Sequence, residues 1–363
     1  MNATAKLRAA GQSLWLDDIT RDLLDSGTLQ HYIQDLSVTG LTSNPSIFDH
    51  AITHSKKYDD EIRRLTGRGY TSEALFFELA LEDLSRAADM FLPIHEATAG
   101  TDGWVSLEVS PLLAYQTDET IAEARRLSRR ANKSNLFIKI PGTKEGLPAI
   151  EQAIAAGVPV NVTLLFSPAQ YEAAADAYMR GLEQRIAAGL APDVRSVASV
   201  FISRWDRAVA DKVPAALQNT LGDAIGQLAY KSYRELLDSN RWQRLMNHGA
   251  VPQRLLFAST SMKDPKAPDA FYVNTLAAPN TVNTMPAPTL VAFADHGNVG
   301  SMLSRDGGDG AATIAQHAKA GIDVDALAAK LQSDGAQAFV ESWKDLLQAI
   351  DTKSRALGLQ KVA

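Results

Sequence analysis

A lysine lies inside an apolar stretch of the chain, where a charged side chain needs a reason. Residues 136–142 read Leu-Phe-Ile-Lys-Ile-Pro-Gly, a run of strand-forming residues ended by a Pro-Gly turn. Because side chains alternate along a strand, Phe137 and Lys139 share one face, opposite their three aliphatic neighbours. If the aliphatic face meets helices, Lys139 points inward, where burial favours a neutral amine that can condense with a carbonyl to a Schiff base. The alternative is a lysine that reaches solvent from the strand end, as most do.

Further polar residues stand at the carboxyl ends of other predicted strands. They are Asp17, Asn44, Glu108, Asn161, Thr163, Ser199 and Ser259. Schiff-base chemistry needs proton transfers, which Glu108 can provide directly or through a water held by Thr163. If a carbon-carbon bond next to the Schiff base is cleaved, a base must accept the proton of the departing hydroxyl, and Asp17 is the candidate for this role. Asn44 and Asn161 can hydrogen-bond substrate hydroxyls.

Each of these residues also has an ordinary structural explanation. A single buried Asn or Thr is more often a satisfied core polar group than a ligand. Asp17 can be the N-cap of the following helix, a role that Asp18 can also take. Arg204, just past the sixth predicted strand, can form a surface ion pair with Asp206. The joint occurrence of polar residues at one level nevertheless favours an interior site, since buried polar groups are costly unless paired or used.

The elements that must position these residues alternate between strand and helix. Strands are predicted at residues 13–17, 38–41, 104–109, 136–140, 159–166, 197–202, 254–259 and 281–285. Helical patterns are predicted over 19–36, 47–91 with a break at 67–69, 120–130, 147–156 and 168–188, with two more before the seventh strand. Such alternation is typical of an α/β protein with a (β/α)8 TIM barrel, whose chemistry lies at the carboxyl ends of its strands.

The chain is longer than a minimal barrel, although we expect it to form a single domain over 1–363. The extra length is assigned to an N-terminal extension, to long helical connections and to a helical C-terminal tail over 324–357. The glycine-rich segment 304–310 is expected to be a mobile surface loop. Its glycines follow no predicted strand, which argues against a phosphate-binding loop.

Composition restricts the partners and the compartment. The 363 residues are 45% hydrophobic and 21% charged, with a formal net charge of −6 and both signs interspersed, so neither nucleic acid nor a membrane is an expected partner. Cysteine is absent, which excludes disulfides and thiolate chemistry. His248 and His296 lack partners at metal-ligand spacing, so no metal and no cofactor is predicted. Without an apolar signal or membrane-spanning run, the protein is expected in the cytoplasm.

Taken together, the motifs resemble the transaldolase family, in its longer bacterial form. The resemblance rests on Asp17, Thr42-Ser43-Asn44-Pro45-Ser46, Glu108, Phe137-Ile138-Lys139-Ile140, Asn161-Val162-Thr163-Leu164, Ser199-Val200-Phe201 and the stretch from Thr281 to Pro286. It covers nearly the whole chain and implies a class I aldolase-like barrel with Lys139 as the Schiff-base lysine. It further implies that Glu108 and Thr163 position the catalytic water and that Asp17 is the acid/base for bond cleavage. The substrate-binding residues would be Thr42, Asn44, Asn161, Ser199, Phe201, Arg204, Ser259 and Lys263.

The implied reaction transfers a dihydroxyacetone unit between sugar phosphates in the non-oxidative pentose phosphate pathway. The donor would be sedoheptulose 7-phosphate or fructose 6-phosphate, and the acceptor glyceraldehyde 3-phosphate or erythrose 4-phosphate. The resemblance implies no cofactor, and the protein would be a monomer or a homodimer.

The sequence departs from the family mainly at the phosphate site. Ser259-Thr260-Ser261 stands where shorter members have Ser-Phe-Arg, so one phosphate-binding arginine is missing and Lys263 is its nearest replacement. Arg204 stands where the family has another such arginine. A milder change places Ser43 where the family often has threonine.

Two other functions compete with a transaldolase. A fructose 6-phosphate aldolase-like lyase would release free dihydroxyacetone. The pattern of that family, however, has Gln and Tyr at the positions where this chain has Glu108 and Phe201. A non-catalytic sugar-phosphate binding barrel would leave the combination of Lys139, Glu108 and Asp17 unexplained.

Overall fold

Parallel strands form the centre of the molecule. The computed structural model describes residues 2–357. Within them the strands are β1 (Ser13–Asp17), β2 (Val38–Thr42), β3 (Val105–Glu108), β4 (Leu136–Pro141), β5 (Val160–Leu165), β6 (Ser196–Phe201), β7 (Gln253–Ala258) and β8 (Val282–Met285). The predicted strands are confirmed, and each begins and ends within one residue of the predicted positions.

The sheet closes on itself to make the predicted barrel. The strand order is β2-β1-β8-β7-β6-β5-β4-β3, so the two edges are neighbours along the chain. They meet at a single bridge between Gly40 and Trp104, where the amide of Leu41 donates to the carbonyl of Trp104 at 2.9 Å. A second hydrogen bond runs from the amide of Gly103 to the carbonyl of Thr39 at 2.9 Å. These contacts remove both open edges.

Helices surround the barrel and fill the connections. They are α1 (Ala3–Ala9), α2 (Arg21–Asp25), α3 (Thr28–Asp35), α4 (Pro45–His54), α5 (Asp59–Thr66), α6 (Ser72–Ala97), α7 (Thr117–Ala131), α8 (Gly146–Ala155), α9 (Pro168–Ala187), α10 (Ser203–Val209), α11 (Leu221–Asp238), α12 (Asn240–Asn247), α13 (Phe271–Thr275), α14 (Ala287–His296), α15 (Gly310–Lys319) and α16 (Val324–Ala356). No helix within the described residues is long and apolar enough to cross a membrane.

Several helical expectations need correction. The single helix expected over 19–36 is divided into α2 and α3 by Gly27, which has a φ of 79° that a helix interior does not allow. Three helices, rather than two stretches, separate β6 from β7. The segment expected to be a loop over 304–310 ends one residue earlier, because Gly310 begins α15. A side chain there would meet the carbonyl of Ala224 at 2.9 Å, so glycine lets α15 pack closely on α11.

Aromatic rings close the lower part of the barrel interior. Phe137 stacks on Trp104 with ring centroids 4.0 Å apart and lies 6.2 Å from the ring of Trp15. Below them Asp102 is buried and accepts a hydrogen bond from Trp15 Nε1 at 2.8 Å and another from the hydroxyl of Ser13. The interior is therefore a packed core rather than a channel, and the space for a ligand lies above this aromatic layer.

The predicted C-terminal tail is the long helix α16, which packs against the barrel rather than projecting from it. Trp343 is buried against Phe76 and Phe77 of α6, with centroids 4.9 and 5.7 Å apart. The same helix packs along α4 and reaches β5. This course brings α16 to the carboxyl ends of the strands.

We predict that Gly40→Ala destabilises the fold by about 1–3 kcal/mol, the usual cost of overpacking. The added methyl would lie 2.7 Å from the carbonyl oxygen of Trp104 and 2.8 Å from the indole of Trp15, at the bridge that closes the barrel. Gly300→Ala is the control, because a side chain there meets nothing within 4 Å. Denaturant midpoints measure both variants, and equal midpoints would mean that Gly40 is not needed for closure.

Candidate active site

Lys139 and Glu108 face each other inside the barrel, where strand alternation predicts the lysine. They are register partners on β4 and β3, with Lys139 Nζ 3.2 Å from Glu108 Oε2 and side chains only 6% and 5% exposed. The two groups are close enough for an ion pair but are not aligned as a hydrogen bond. Lys139 Nζ donates instead to the backbone carbonyl of Ser43 at 3.0 Å. The ammonium is thus held in a nearly dry site by one carboxylate and one carbonyl.

The surroundings of Glu108 favour its protonated form. Burial raises the pKa of this carboxyl, Asp17 raises it further, and the neighbouring Lys139 opposes the rise. Neither carboxylate oxygen has a hydrogen-bond partner among residues 2–357. The carboxyl of Glu108 therefore holds a proton more readily than a glutamate in water does.

Thr163 points a free hydroxyl into the same space. The residue is fully buried, and its Oγ1 finds no hydrogen-bond partner in the described part of the chain. The register of β5 against β6 shifts between Val162 and Leu165, and Leu164 in this bulge has a φ of 60°. Such a backbone conformation is strained for a bulky residue and is common at functional sites.

Asp17 ends a chain of hydroxyl hydrogen bonds. Thr42 Oγ1 donates to Asp17 Oδ1 at 2.7 Å and lies 2.8 Å from Thr284 Oγ1. A hydroxyl has one proton, so when Thr42 donates to Asp17, Thr284 must donate to Thr42. Neither Asp17 nor Asp18 is an N-cap, because Thr20 caps α2 by accepting from the amide of Leu23 at 2.9 Å. The alternative of a capping role for either aspartate is therefore wrong.

The side chains of Asn161 and Asn44 differ in which of their hydrogen-bonding atoms remain free for a ligand. Asn161 is fully buried, donates to Ser106 Oγ at 3.1 Å and accepts from Ser199 Oγ at 2.7 Å, so the expected contact with substrate would compete with this network. Asn44 caps α4 through its side-chain oxygen, which accepts from the amides of Ser46 and Ile47 at 3.1 and 3.2 Å. Its amide nitrogen remains available to a ligand.

A cavity of about 130 Å³ joins most of these side chains. Of the sequence-predicted residues, those that line it are Asp17, Thr42, Asn44, Lys139, Thr163, Ser199, Phe201, Arg204 and Ser259. Glu108 and Asn161 lie behind this lining. Four residues that were not predicted as site residues also line the cavity: Ser46, Ala258, Thr284 and Phe339. Thr284 could have been found by the strand-end rule, whereas Phe339 comes from α16 and carries no such signal.

Arg204 holds a charge that no acidic side chain neutralises. No carboxylate in residues 2–357 lies within 4.0 Å of its guanidinium, which instead lies over the rings of Phe201 and Phe339 at 5.1 and 5.9 Å. Burial lowers its pKa, and the nearby Arg207 adds to that effect. The alternative of an Arg204–Asp206 ion pair is wrong, because Asp206 accepts from two backbone amides and from Tyr272 Oη at 2.7 Å.

Lys263, the other basic candidate for the phosphate site, does not share the position of Arg204. Arg204 also lines a neighbouring cavity of about 360 Å³, together with Arg207, Lys212 and Lys330. Lys263 is exposed, lies 3.3 Å from Ser261 Oγ and lines a different depression rather than the Lys139 cavity. The structure therefore brings Arg204, but not Lys263, to the cavity that Lys139 lines.

The described residues contain no group of three or more His, Cys, Asp or Glu side chains placed to hold a metal ion. Of the two histidines considered from the sequence, His296 lies at the surface and contacts Asp269 at 2.8 Å.

Comparison with known proteins assigns the family. The family model described as Transaldolase/Fructose-6-phosphate aldolase matches residues 14–350. A solved chain described as a putative fructose-1,6-biphosphate aldolase from Coccidioides immitis covers 97% of this chain and 96% of its own, with 12% identity and a TM-score of 0.30.

Relatives named Transaldolase align over almost their full lengths. The protein from Parafrankia sp. (strain EAN1pec) is 45% identical over 353 residues, which are 95% of this chain and 96% of the relative. The protein from Acidothermus cellulolyticus is 46% identical over 354 residues, or 95% of each chain. That from Arthrobacter sp. (strain FB24) is 45% identical over 359 residues, covering 96% of each. The chain is therefore an enzyme of the transaldolase type and belongs to the transaldolase/fructose-6-phosphate aldolase family.

Proposed function

We propose that this enzyme transfers a dihydroxyacetone unit from a ketose phosphate to an aldose phosphate through a Schiff base on Lys139. The donors are sedoheptulose 7-phosphate or fructose 6-phosphate, and the acceptors glyceraldehyde 3-phosphate or erythrose 4-phosphate. The observation that carries the proposal is the buried contact of 3.2 Å between Lys139 and Glu108. A purely structural role would not need a buried lysine on a cavity wall beside a buried glutamate whose oxygens have no hydrogen-bond partner among the described residues.

The first step is attack on the donor ketone. Proton transfer from Lys139 to Glu108 gives a neutral amine, which adds to the C2 carbonyl and forms a carbinolamine. Glu108 then returns a proton to the departing hydroxyl, and water leaves as the iminium forms. The free hydroxyl of Thr163 is suited to hold this water, since its Oγ1 lacks a protein partner among the described residues.

Cleavage follows from the electron demand of the iminium. Asp17 takes the proton of the C4 hydroxyl and the C3–C4 bond breaks. The electron pair of that bond forms the C2=C3 double bond, and the π pair of the iminium moves to nitrogen, which gives an enamine. The aldose phosphate product leaves. Attack of the enamine on the acceptor aldehyde reverses these steps, and Asp17 returns its proton to the new hydroxyl. Water then hydrolyses the iminium and frees Lys139.

The phosphate group needs a local cation, because the protein carries a formal net charge of −6. Arg204 supports this role, since it lines the lysine cavity and has no acidic partner among the described residues. A guanidinium can hold two phosphate oxygens in a bidentate fork. Ser259 on the cavity wall can add a neutral hydrogen bond. Lys263 would act from outside, either by long-range attraction or after movement of its loop.

The proposal has three wider parts. They are a place in the non-oxidative pentose phosphate pathway, a cytoplasmic location and a monomeric or homodimeric state. The main rival within the family is a fructose 6-phosphate aldolase that releases free dihydroxyacetone.

Borohydride reduction in the presence of fructose 6-phosphate should trap a dihydroxyacetone adduct on Lys139, with EDTA present throughout. Peptide mass mapping identifies the modified residue. Lys139→Met should abolish trapping and turnover, whereas Lys133→Met, which removes a surface lysine paired with Asp89, should preserve both. Label on another lysine, or activity that EDTA removes and a divalent ion restores, would overturn the Schiff-base proposal.

Fast turnover of a ketose phosphate donor should require an aldose phosphate acceptor. Without an acceptor the enamine has no aldehyde to attack, so the enzyme should stop after one turnover. The test compares a burst of released aldose phosphate with steady-state turnover at increasing erythrose 4-phosphate. Continuous release of dihydroxyacetone at a comparable rate without acceptor would assign the chain to the lyase branch.

Arg204→Ala should raise the KM for phosphorylated donors roughly 30- to 1,000-fold, corresponding to about 2–4 kcal/mol for loss of a hydrogen-bonded charge pair. Lys263→Ala should have a smaller effect, because an exposed lysine is screened by water. Steady-state kinetics with fructose 6-phosphate measure both changes.

Trapping of unphosphorylated dihydroxyacetone on Lys139 is the control for Arg204→Ala, since that reaction needs no phosphate site. Equal weakening for dihydroxyacetone and for fructose 6-phosphate would mean that Arg204 supports the fold rather than the phosphate.

A further inference from the structure

One face of α16 contacts the candidate active site on three successive turns of the helix. The side-chain amide of Gln332 donates to the carbonyls of Gly142 and Leu164 at 3.0 and 2.9 Å. One turn later, a Cβ on Gly335 would lie 3.0 Å from Leu164 Cδ2 and 3.1 Å from Arg204 Nη1. Another turn on, the ring of Phe339 lies 5.8 Å from Lys139 Nζ. The spacing of three and four residues places these side chains on one side of the helix.

Gln332 binds the two backbone carbonyls that flank the catalytic threonine. Both partners are carbonyl oxygens, which only accept, so the amide nitrogen of Gln332 must face them. Leu164 directly follows Thr163, and the amide of Gly142 donates to the carbonyl of Thr163 at 2.7 Å. The end of β4, the bulge of β5 and α16 are therefore joined by hydrogen bonds around a single residue.

The bulge needs such support because its backbone is strained. Leu164 has a φ of 60°, a conformation that costs a bulky residue free energy unless its surroundings hold it. Leu164 directly follows Thr163, whose hydroxyl is buried and has no partner in residues 2–357. A small relaxation of the bulge would turn that hydroxyl away from the cavity.

We propose that Gln332 is a positioning residue, which holds the Leu164 bulge so that Thr163 can bind the water of Schiff-base formation and hydrolysis. The inference rests on the proposed role of Thr163. Gln332 touches neither the substrate nor Lys139. The glycine at position 335 contributes by letting α16 approach Leu164 and Arg204 closely, so the C-terminal helix completes a site whose other parts come from the barrel strands.

Gln332→Met tests the proposal, since it keeps the length of the side chain and removes both hydrogen-bond donors. We expect kcat to fall roughly tenfold, about 1.4 kcal/mol in activation free energy. The KM for fructose 6-phosphate should stay within about twofold, because Gln332 makes no contact with the proposed phosphate-binding residue Arg204. Gln332→Glu has nearly the same shape and should be at least as slow, since its carboxylate would face two carbonyl oxygens. It also keeps the test possible if the methionine variant folds poorly.

Gln337→Met is the matched control. Gln337 lies on the same helix but is exposed, and its side chain hydrogen-bonds only to Glu341 at 3.2 Å in the described structure. Its kcat and its thermal unfolding midpoint should equal those of the wild type. A kcat for Gln332→Met equal to that of this control would overturn the proposal.

A double-mutant cycle with Thr163→Val separates positioning from general support. If Gln332 acts through Thr163, Gln332→Met should slow single-turnover adduct formation in the wild type but have little further effect in Thr163→Val. Equal slowing in both backgrounds, with Thr163→Val itself slow, would refute positioning by Gln332 and leave the proposed function intact. A Thr163→Val enzyme as fast as the wild type would refute both the proposed role of Thr163 and the inference built on it. Trapping on Lys139 in each variant shows that the lysine chemistry itself survives.

Discussion

The burial of one lysine and one glutamate on neighbouring strands is the constraint on which the site depends. Lys139 and Glu108 are register partners with side chains about one-twentieth exposed, so each charge has lost nearly all of its water. Burying such a pair in place of apolar residues seldom adds stability. The barrel can contain the pair because closure supplies rigid walls and the aromatic layer of Trp15, Trp104 and Phe137 seals the interior below it.

The polar atoms around the pair fall into two groups. Some are fully hydrogen-bonded and hold the frame, such as Asn161 between Ser106 and Ser199. Others have no protein partner among the described residues, such as the hydroxyl of Thr163 and the carboxylate of Glu108. Buried polar groups are normally satisfied, so the second group contains the atoms to which the proposed substrate and water would bind. The distinction comes from hydrogen bonds that join different strands, and it separates residue types that look equivalent along the chain.

Much of the fold could be predicted from the sequence, because its strands are short apolar runs bounded by turn residues and buried on both faces. The helix boundaries were harder to predict than the strands. The apolar pattern continues across Gly27, although the backbone there breaks the helix into α2 and α3. Most of the candidate site could also be predicted, since Asp17, Glu108 and Lys139 follow the rule that polar residues at strand ends face the barrel mouth. The same rule could not say that Lys263 would lie outside the cavity, because a loop has no fixed period.

By itself the sequence determined the strand order along the chain, the inward direction of Lys139 and the residue types available for Schiff-base chemistry. These follow from local periodicity, which depends only on neighbouring residues. Tertiary structure alone decided that Leu164 would adopt a left-handed conformation, that Gln332 would hold it, and that Phe339 would cover the lysine. Those features depend on the packing of α16 across the carboxyl ends of the strands, which results from many weak contacts between residues far apart in the chain. Local sequence patterns do not show which distant residues will come into contact.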